Sequence, residues 1–206
     1  MSDAEALRRL AQRLIPAGYA SAVAPLDGPV PALLPDEACV VLRAVPKRWR
    51  EFAIGRAVLR EAIRGAGHNL PADLPIRARP DRMPDLPEGV RASLSHAGRF
   101  CIAIAAPPGG ASVGIDLEPL DGRRLGGLAD AVAPYRMDRD DALLAFCIKE
   151  ALFKAQFPLT GRMLDFSDVP VAISGSRARA CLGRRLISAR WGKAVGHYLA
   201  ISLWRG

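Results

Sequence analysis

"FAIGRAVLR", residues 52–60, and "FCIKEALFK", residues 146–154, align without a gap. Phe52 pairs with Phe146, Ile54 with Ile148, Ala57 with Ala151, Val58 with Leu152 and Arg60 with Lys154. Both segments place apolar residues at helical spacing. A related strand-like segment follows each, "GRFCIAIA" at 98–105 and "GHYLAISL" at 196–203. The helices are offset by 94 residues and the strands by 98. The same order at nearly equal separation predicts an α+β fold in a single domain. It would be built of two similar halves, about 1–110 and 111–206, related by a pseudo-twofold axis. A ligand site then falls at their junction, where such chains commonly bind. The copies differ at one telling position: Arg56 stands where Glu150 stands in the second, so one half offers a cation and the other an acid.

Hydrophobic residues make up 50% of the 206, which supports a packed core and excludes disorder. The formal net charge of +8 favours an anionic partner: nucleic acid, a phosphorylated small molecule or an acidic protein. Nearly all of the excess is arginine, which suits bidentate phosphate binding and is also common in GC-rich genomes. Cys39, Cys101, Cys147 and Cys181 are far apart and sit among apolar residues, so buried free thiols and a reducing, cytoplasmic setting are expected. "MSDAEALRRL" carries acids early and no apolar run, unlike a signal peptide, and no stretch approaches a membrane span.

Along the chain, "SDAEALRRLAQRLIP" predicts a helix capped by Ser2 with Glu5 three residues on. Residues 16–38 hold five prolines and read as irregular. "ACVVLRAV" reads as a short buried strand, and "KRWREFAIGRAVLREAIRGAG" as a long helix. Residues 68–90 are again Pro-rich loop. "RASLSHAGRFCIAIAAP" predicts two strands turning near Ala97-Gly98, and "SVGIDLEPL" a third. Residues 120–137 resist assignment, "DRDDALLAFCIKEALFKAQF" is a second long helix, and "VAIS", "RRLISARW" and "GHYLAISLW" are the last strands.

Two carboxylates interrupt the otherwise buried-looking "VGIDLEPL". Asp116 and Glu118 are two apart, so on a strand both point to one face and can chelate a hard dication such as Mg²⁺. The plainer alternative is a solvated strand end. Glu150 and Lys154 share a helix face one turn apart, either as a surface ion pair or as a third metal-proximal carboxylate beside a phosphate-binding lysine. "SLSH" at 93–96 adds hydroxyls and an imidazole at a strand end, able to hold phosphate oxygens or to serve structure alone. Arg48 and Arg56, eight apart, share a face if the helix already includes Arg48. A metal flanked by lysines and arginines suits reaction at a phosphate group.

"VGIDLE" followed by "FCIKEALFKA" resembles the paired signature of the 4′-phosphopantetheinyl transferases of the surfactin-synthetase-activating type. "EFAIGRAVLREAI", "RMPDLPEGVRASLSH" and "FKAQFPLTGRMLDF" resemble its enterobactin-synthetase branch, and the likeness covers roughly residues 46–206. That branch usually has Trp where Leu86 stands and often Gly where Ala92 stands, two departures in the pocket wall. The resemblance implies transfer of phosphopantetheine from coenzyme A to a serine of an acyl or peptidyl carrier protein, with release of adenosine 3′,5′-bisphosphate. It implies that Asp116, Glu118 and Glu150 bind Mg²⁺, with Glu150 as general base and Lys154 as its catalytic companion. It places Lys149, Lys154, Ser95 and His96 on coenzyme A phosphates, Arg48 and Arg56 on the 3′-phosphate, and Arg82 as a further contact. A monomer with no nucleic-acid or membrane partner is expected, and the carrier and pathway stay open. The Arg123-Arg124 pair would face an acidic carrier surface. Two other readings fit the same acids and basic charge: a metal-dependent nuclease or phosphodiesterase, and a non-catalytic nucleic-acid-binding module. The second is disfavoured by an aromatic content of 6% without a basic–aromatic run.

Overall fold

The structure, a computed structural model, describes residues 1–120, 127–137 and 141–206. Arg123 and Arg124 fall outside this set. The order is α1 (Asp3–Leu14), β1 (Ala20–Pro25), α2 (Pro35–Val41), α3 (Pro46–Gly65), β2 (Ala92–Ala97), β3 (Phe100–Ala105) and β4 (Ser112–Pro119). Then come α4 (Leu128–Val132), β5 (Tyr135–Arg136), α5 (Ala142–Thr160), β6 (Val171–Ser174), β7 (Arg177–Leu182), β8 (Arg185–Ala194) and β9 (His197–Trp204). The architecture is α+β. A three-stranded antiparallel sheet runs β1-β3-β2, and a six-stranded sheet runs β4-β9-β8-β7-β6-β5, antiparallel except for β5 against β6.

Each helix of the internal repeat packs on the repeated strand that follows it, α3 on β3 and α5 on β9. Of the aligned apolar pairs, Ile54 with Ile148 and Val58 with Leu152 are buried in both copies, whereas Ala57, Phe146 and Phe153 are only partly buried opposite buried Ala151, Phe52 and Leu59. Helix α1 spans both sheets, burying Leu7, Leu10 and Leu14 with Ile102, Ile104, Ile115 and Ile201.

Three elements differ from expectation. "ACVVLRAV" is helical over its first part, because Pro35 opens α2 and the Glu37 carboxylate accepts from the Leu34 amide at 3.1 Å, closing the first turn. Its apolar run then follows a helical pattern, with Val41 buried and Val40 exposed. The Pro-rich 16–38 stretch contains β1, which tolerates Pro25 because it is an edge strand. β7 also forms, completing a hairpin with β8.

The sheets meet where β2 runs beside β4. Backbone pairing stops there and side chains take over. The Ser93 hydroxyl accepts from the Ile115 amide at 3.3 Å, and the Ser95 hydroxyl accepts from the Leu117 amide at 3.3 Å. Ser93 and Ser95 are two apart on one strand, as are the amides they satisfy, so a pleat meets a pleat through hydroxyls.

Candidate active site

Strand β4 is buried on both faces. Val113, Ile115 and Leu117 face the core shared with α1, while Gly114, Asp116 and Glu118 face α5 and the cleft. Gly114 lets the helix come close. A Cβ there would overlap the Ala151 carbonyl oxygen and lie 2.5 Å from the Ala155 amide nitrogen. This approach brings Lys154 onto Asp116: its ammonium donates to Oδ1 at 2.6 Å. Ser95 donates to the same oxygen at 3.0 Å, and Cys147 donates from α5 to the Asp116 carbonyl at 3.4 Å. Asp116 is 3% exposed, and its Oδ2 is buried without a partner.

Acids crowd this corner. Burial and the neighbouring Asp116 push the Glu118 carboxyl up to about 7. Burial also raises Glu150, partly offset by Lys154. For Lys154, burial acts downward, but Asp116 outweighs it and holds the ammonium above its ordinary value. His96 is lowered, chiefly by burial, with Arg48, Lys154 and Lys47 adding to the effect.

The cleft, about 1450 Å³, runs along the junction between the two sheets. Arg48, Arg56, Arg82, Ser95, His96, Asp116, Glu118 and Lys154 line it, so the structure brings these sequence candidates together. Glu150 couples electrostatically to Lys154, Asp116 and Glu118 but does not line the cleft. Lys149 is directed elsewhere. It is 2% exposed, lies behind α5 and donates to the Phe166 carbonyl at 2.6 Å, with burial lowering it to about 8. Arg56 reaches the cleft already engaged: it stacks on Phe52, donates to the Ile76 carbonyl at 2.6 Å and to the Arg77 carbonyl at 3.3 Å. Burial lowers its guanidinium to about 10. Arg82 sits at a tight turn with φ +69°.

Sequence reasoning marked the Ser93 hydroxyl within "SLSH" but missed that it is taken up by the Ile115 amide across the seam. It also missed the apolar lip formed by Phe157, Leu159 and Met163, which lie within "FKAQFPLTGRMLDF" but were given no role there.

The donors suit a hard dication. Asp116 offers an unpartnered buried oxygen beside a second carboxylate, and Mg²⁺ is commonly held by one or two carboxylates with phosphate oxygens completing its shell. Among the described residues no three of His, Cys, Asp and Glu form a ready ligand set, and Lys154 covers Asp116 Oδ1. Protein carboxylates would thus supply only part of a shell.

The raised Glu118 carboxyl carries a stability consequence. The folded chain keeps this proton up to about 7, whereas the unfolded chain loses it near 4.5. The folded state therefore binds more protons in that window, and metal-free stability falls as pH rises through it. Urea midpoints at pH 5 and pH 7.5 check this: the second is lower, and Glu118→Gln narrows the gap. An unchanged gap in the variant would contradict the assignment.

A model of the N-terminal domain of 4′-phosphopantetheinyl transferases matches residues 36–106. The chain is 39% identical over 163 residues to the 4′-phosphopantetheinyl transferase Svp of Streptomyces mobaraensis, covering 71% of this chain and 63% of that protein. It is 36% identical over 156 residues to PptT of Mycobacterium tuberculosis, covering 70% and 67%. It is 33% identical over 146 residues to Npt of Nocardia iowensis, covering 66% and 64%. The match thus spans 63 to 67% of the length of these curated relatives. Asp116, Glu118 and Lys154 of the signature converge on one cleft, and relatives sharing a third or more of their aligned residues carry one family name; the chain belongs to the 4′-phosphopantetheinyl transferases.

Proposed function

We propose that the protein transfers the 4′-phosphopantetheine group of coenzyme A to a serine of an acyl or peptidyl carrier protein, with Mg²⁺, releasing adenosine 3′,5′-bisphosphate. The observation that carries this reading is the Asp116 corner of the cleft: a buried carboxylate with one free oxygen, a lysine on the other, and arginines along the wall. The same reading takes the chain as a monomer of two pseudo-twofold halves, acting in the cytoplasm. Among the described residues no helix is long and apolar enough to cross a membrane.

Asp116 and Glu118, with Glu150 beside them, would hold the metal. When bound, it would neutralise charge on the pyrophosphate oxygens. The carrier serine oxygen forms a bond to the phosphorus that bears the pantetheine, and the bond from that phosphorus to the bridging oxygen breaks. Adenosine bisphosphate leaves with that oxygen. The serine proton passes to Glu150, whose burial-raised carboxyl is a better base than an exposed one. Lys154 neutralises charge on the leaving phosphate. The Ser95 hydroxyl already accepts from Leu117 and donates to Asp116, so its part is to orient that carboxylate. His96, kept neutral by burial, is a hydrogen-bonding partner for a phosphate oxygen. Lys149, held behind α5, acts through the loop that carries Phe166.

Incubation with coenzyme A, Mg²⁺ and an apo carrier protein, followed by mass spectrometry of the carrier, tests the reading. A mass gain of one phosphopantetheine is expected. Cleavage of a nucleic acid or phosphodiester without carrier modification would favour the nuclease reading.

The two arginines separate in their expected behaviour. Arg48→Ala weakens coenzyme A more than 3′-dephospho-coenzyme A, by about 1.5–3 kcal/mol for one charge-assisted phosphate contact. Arg56→Ala shows the same selectivity and also lowers the melting temperature, because the Ile76 and Arg77 carbonyls lose their donor. Calorimetry with both ligands checks this, and equal weakening of the two would rule out the 3′-phosphate role.

A further inference from the structure

The large sheet has two unlike faces. One is covered by α5 and buries Val171, Ile173, Ala178, Ala180, Ile187 and Ala189. The other is covered by α1 only near Gly192, where Leu10 packs, and stands open over β6–β8. On that open part Arg177 and Arg179 alternate along β7, and Arg177 lies directly opposite Arg190 on β8. Ala172, Ser174 and Ser188 lie between them, small and exposed. Among the described residues no acidic side chain pairs with any of the three arginines. Residues 169–206 contain seven arginines and lysines and no aspartate or glutamate, so most of the +8 charge resides in this segment. Like charges directly opposite each other weaken a sheet, so the array lowers stability where it stands.

We propose that this open face docks an acidic peptide segment of a protein partner. Side chains two apart on a strand are about 7 Å apart, and cross-strand neighbours about 5 Å. Carboxylates of an extended acidic segment, or at adjacent turns of an acidic helix, have matching spacing. Guanidinium groups take carboxylates in bidentate pairs, and the small residues between them leave room for the fork. The arginine patch carries no aromatic side chain on which an unpaired base could stack. The hairpin is hemmed in by β6 and β9, so it cannot project into a groove as a free ribbon does. Leu186 is the one large apolar residue exposed on these strands, too little for insertion into a bilayer. The face lies across the sheet from α5 and does not line the cleft, so docking here is independent of the transfer reaction.

The test uses the full chain and a labelled 20-residue polyglutamate peptide, with binding followed by fluorescence anisotropy at physiological salt. The triple variant R177E/R179E/R190E is expected to bind about tenfold more weakly or worse, as three exposed charge contacts are reversed. The charge-matched variant R13E/R43E/R99E, altered away from β6–β8, should retain most of the affinity. Equal loss in the two variants would reduce the effect to net charge and overturn the proposal. A 20-base-pair duplex and vesicles containing phosphatidylserine serve as further probes. Tighter binding of either than of the peptide, lost in R177E/R179E/R190E, would overturn it in favour of another polyanion. R177A/R190A removes the opposed pair, so it should raise the urea midpoint while weakening the peptide. Unchanged peptide binding in that variant would also overturn the proposal.

Discussion

In a Glu150→Gln enzyme, transfer falls by at least about 10²-fold, the usual contribution of a positioned base, while coenzyme A still binds. Gln keeps the shape and loses both the charge and the proton affinity. Binding survives because Arg48, His96 and Lys154 line the cleft independently of Glu150. Asp116→Asn behaves differently. It leaves one amide oxygen to accept from Lys154 and Ser95 but removes the negative charge and the second, free carboxylate oxygen, while the base stays in place. Its activity should fall at low metal and recover in part at high Mg²⁺ or Mn²⁺, since a weakened ligand set is compensated by mass action. Transfer rate against metal concentration for both variants decides the roles. If Glu150→Gln worked near the wild-type rate, or were rescued as fully as Asp116→Asn, Glu150 would not be the base. A surface ion pair alone would cost under about 1 kcal/mol and leave transfer intact.

Gly114→Ala unfolds or strongly destabilises the protein. The added methyl meets main chain on every side: the Ala151 carbonyl oxygen, the Ala155 amide and the Lys154 carbonyl carbon, the last at 2.9 Å. Main chain cannot turn aside as a side chain can, so α5 must lift from β4. Overpacking costs about 1–3 kcal/mol where side chains yield and more where they do not. For a domain of this size each kcal/mol moves the melting temperature by about 2–4 °C, so a drop of roughly 10 °C or more is expected. Lifting α5 also draws Lys154 from Asp116, so any folded fraction loses transfer activity. Calorimetry and the transfer assay together check this. A variant melting within 2 °C of wild type, taken as about the effect of 1 kcal/mol, would show that the contact is not tight.

Periodicity and spacing reached the parts of this molecule that depend on neighbours in sequence. The two long helices, the β2–β3 hairpin and the one-face placement of Asp116 and Glu118 all follow from spacings of two or of three to four residues. Where identity of type misled, the deciding partner was a local stop signal or a distant residue. The run Ala38–Val41 looks β-like until Pro35 and Glu37 are read as a helix start. Arg56 looks like a free phosphate ligand because nothing nearby in sequence shows that the carbonyls of residues 76 and 77 meet it. Lys149 belongs to the signature, yet on a helix it points to a different side from Lys154, five residues on. The loop that returns to it could not be placed from the sequence.

The seam between β2 and β4 has a consequence for how such a protein can vary by descent. A sheet continued through backbone ladders fixes the distance between its strands, whatever residues they carry. Here two serine hydroxyls stand in for carbonyls, so the gap is encoded by side chains. Single-codon changes at residues 93 and 95 can therefore reset the width of the cleft, while the hydrogen bonding inside either sheet is left untouched. The geometry of this site is thus a heritable quantity, open to adjustment in small steps.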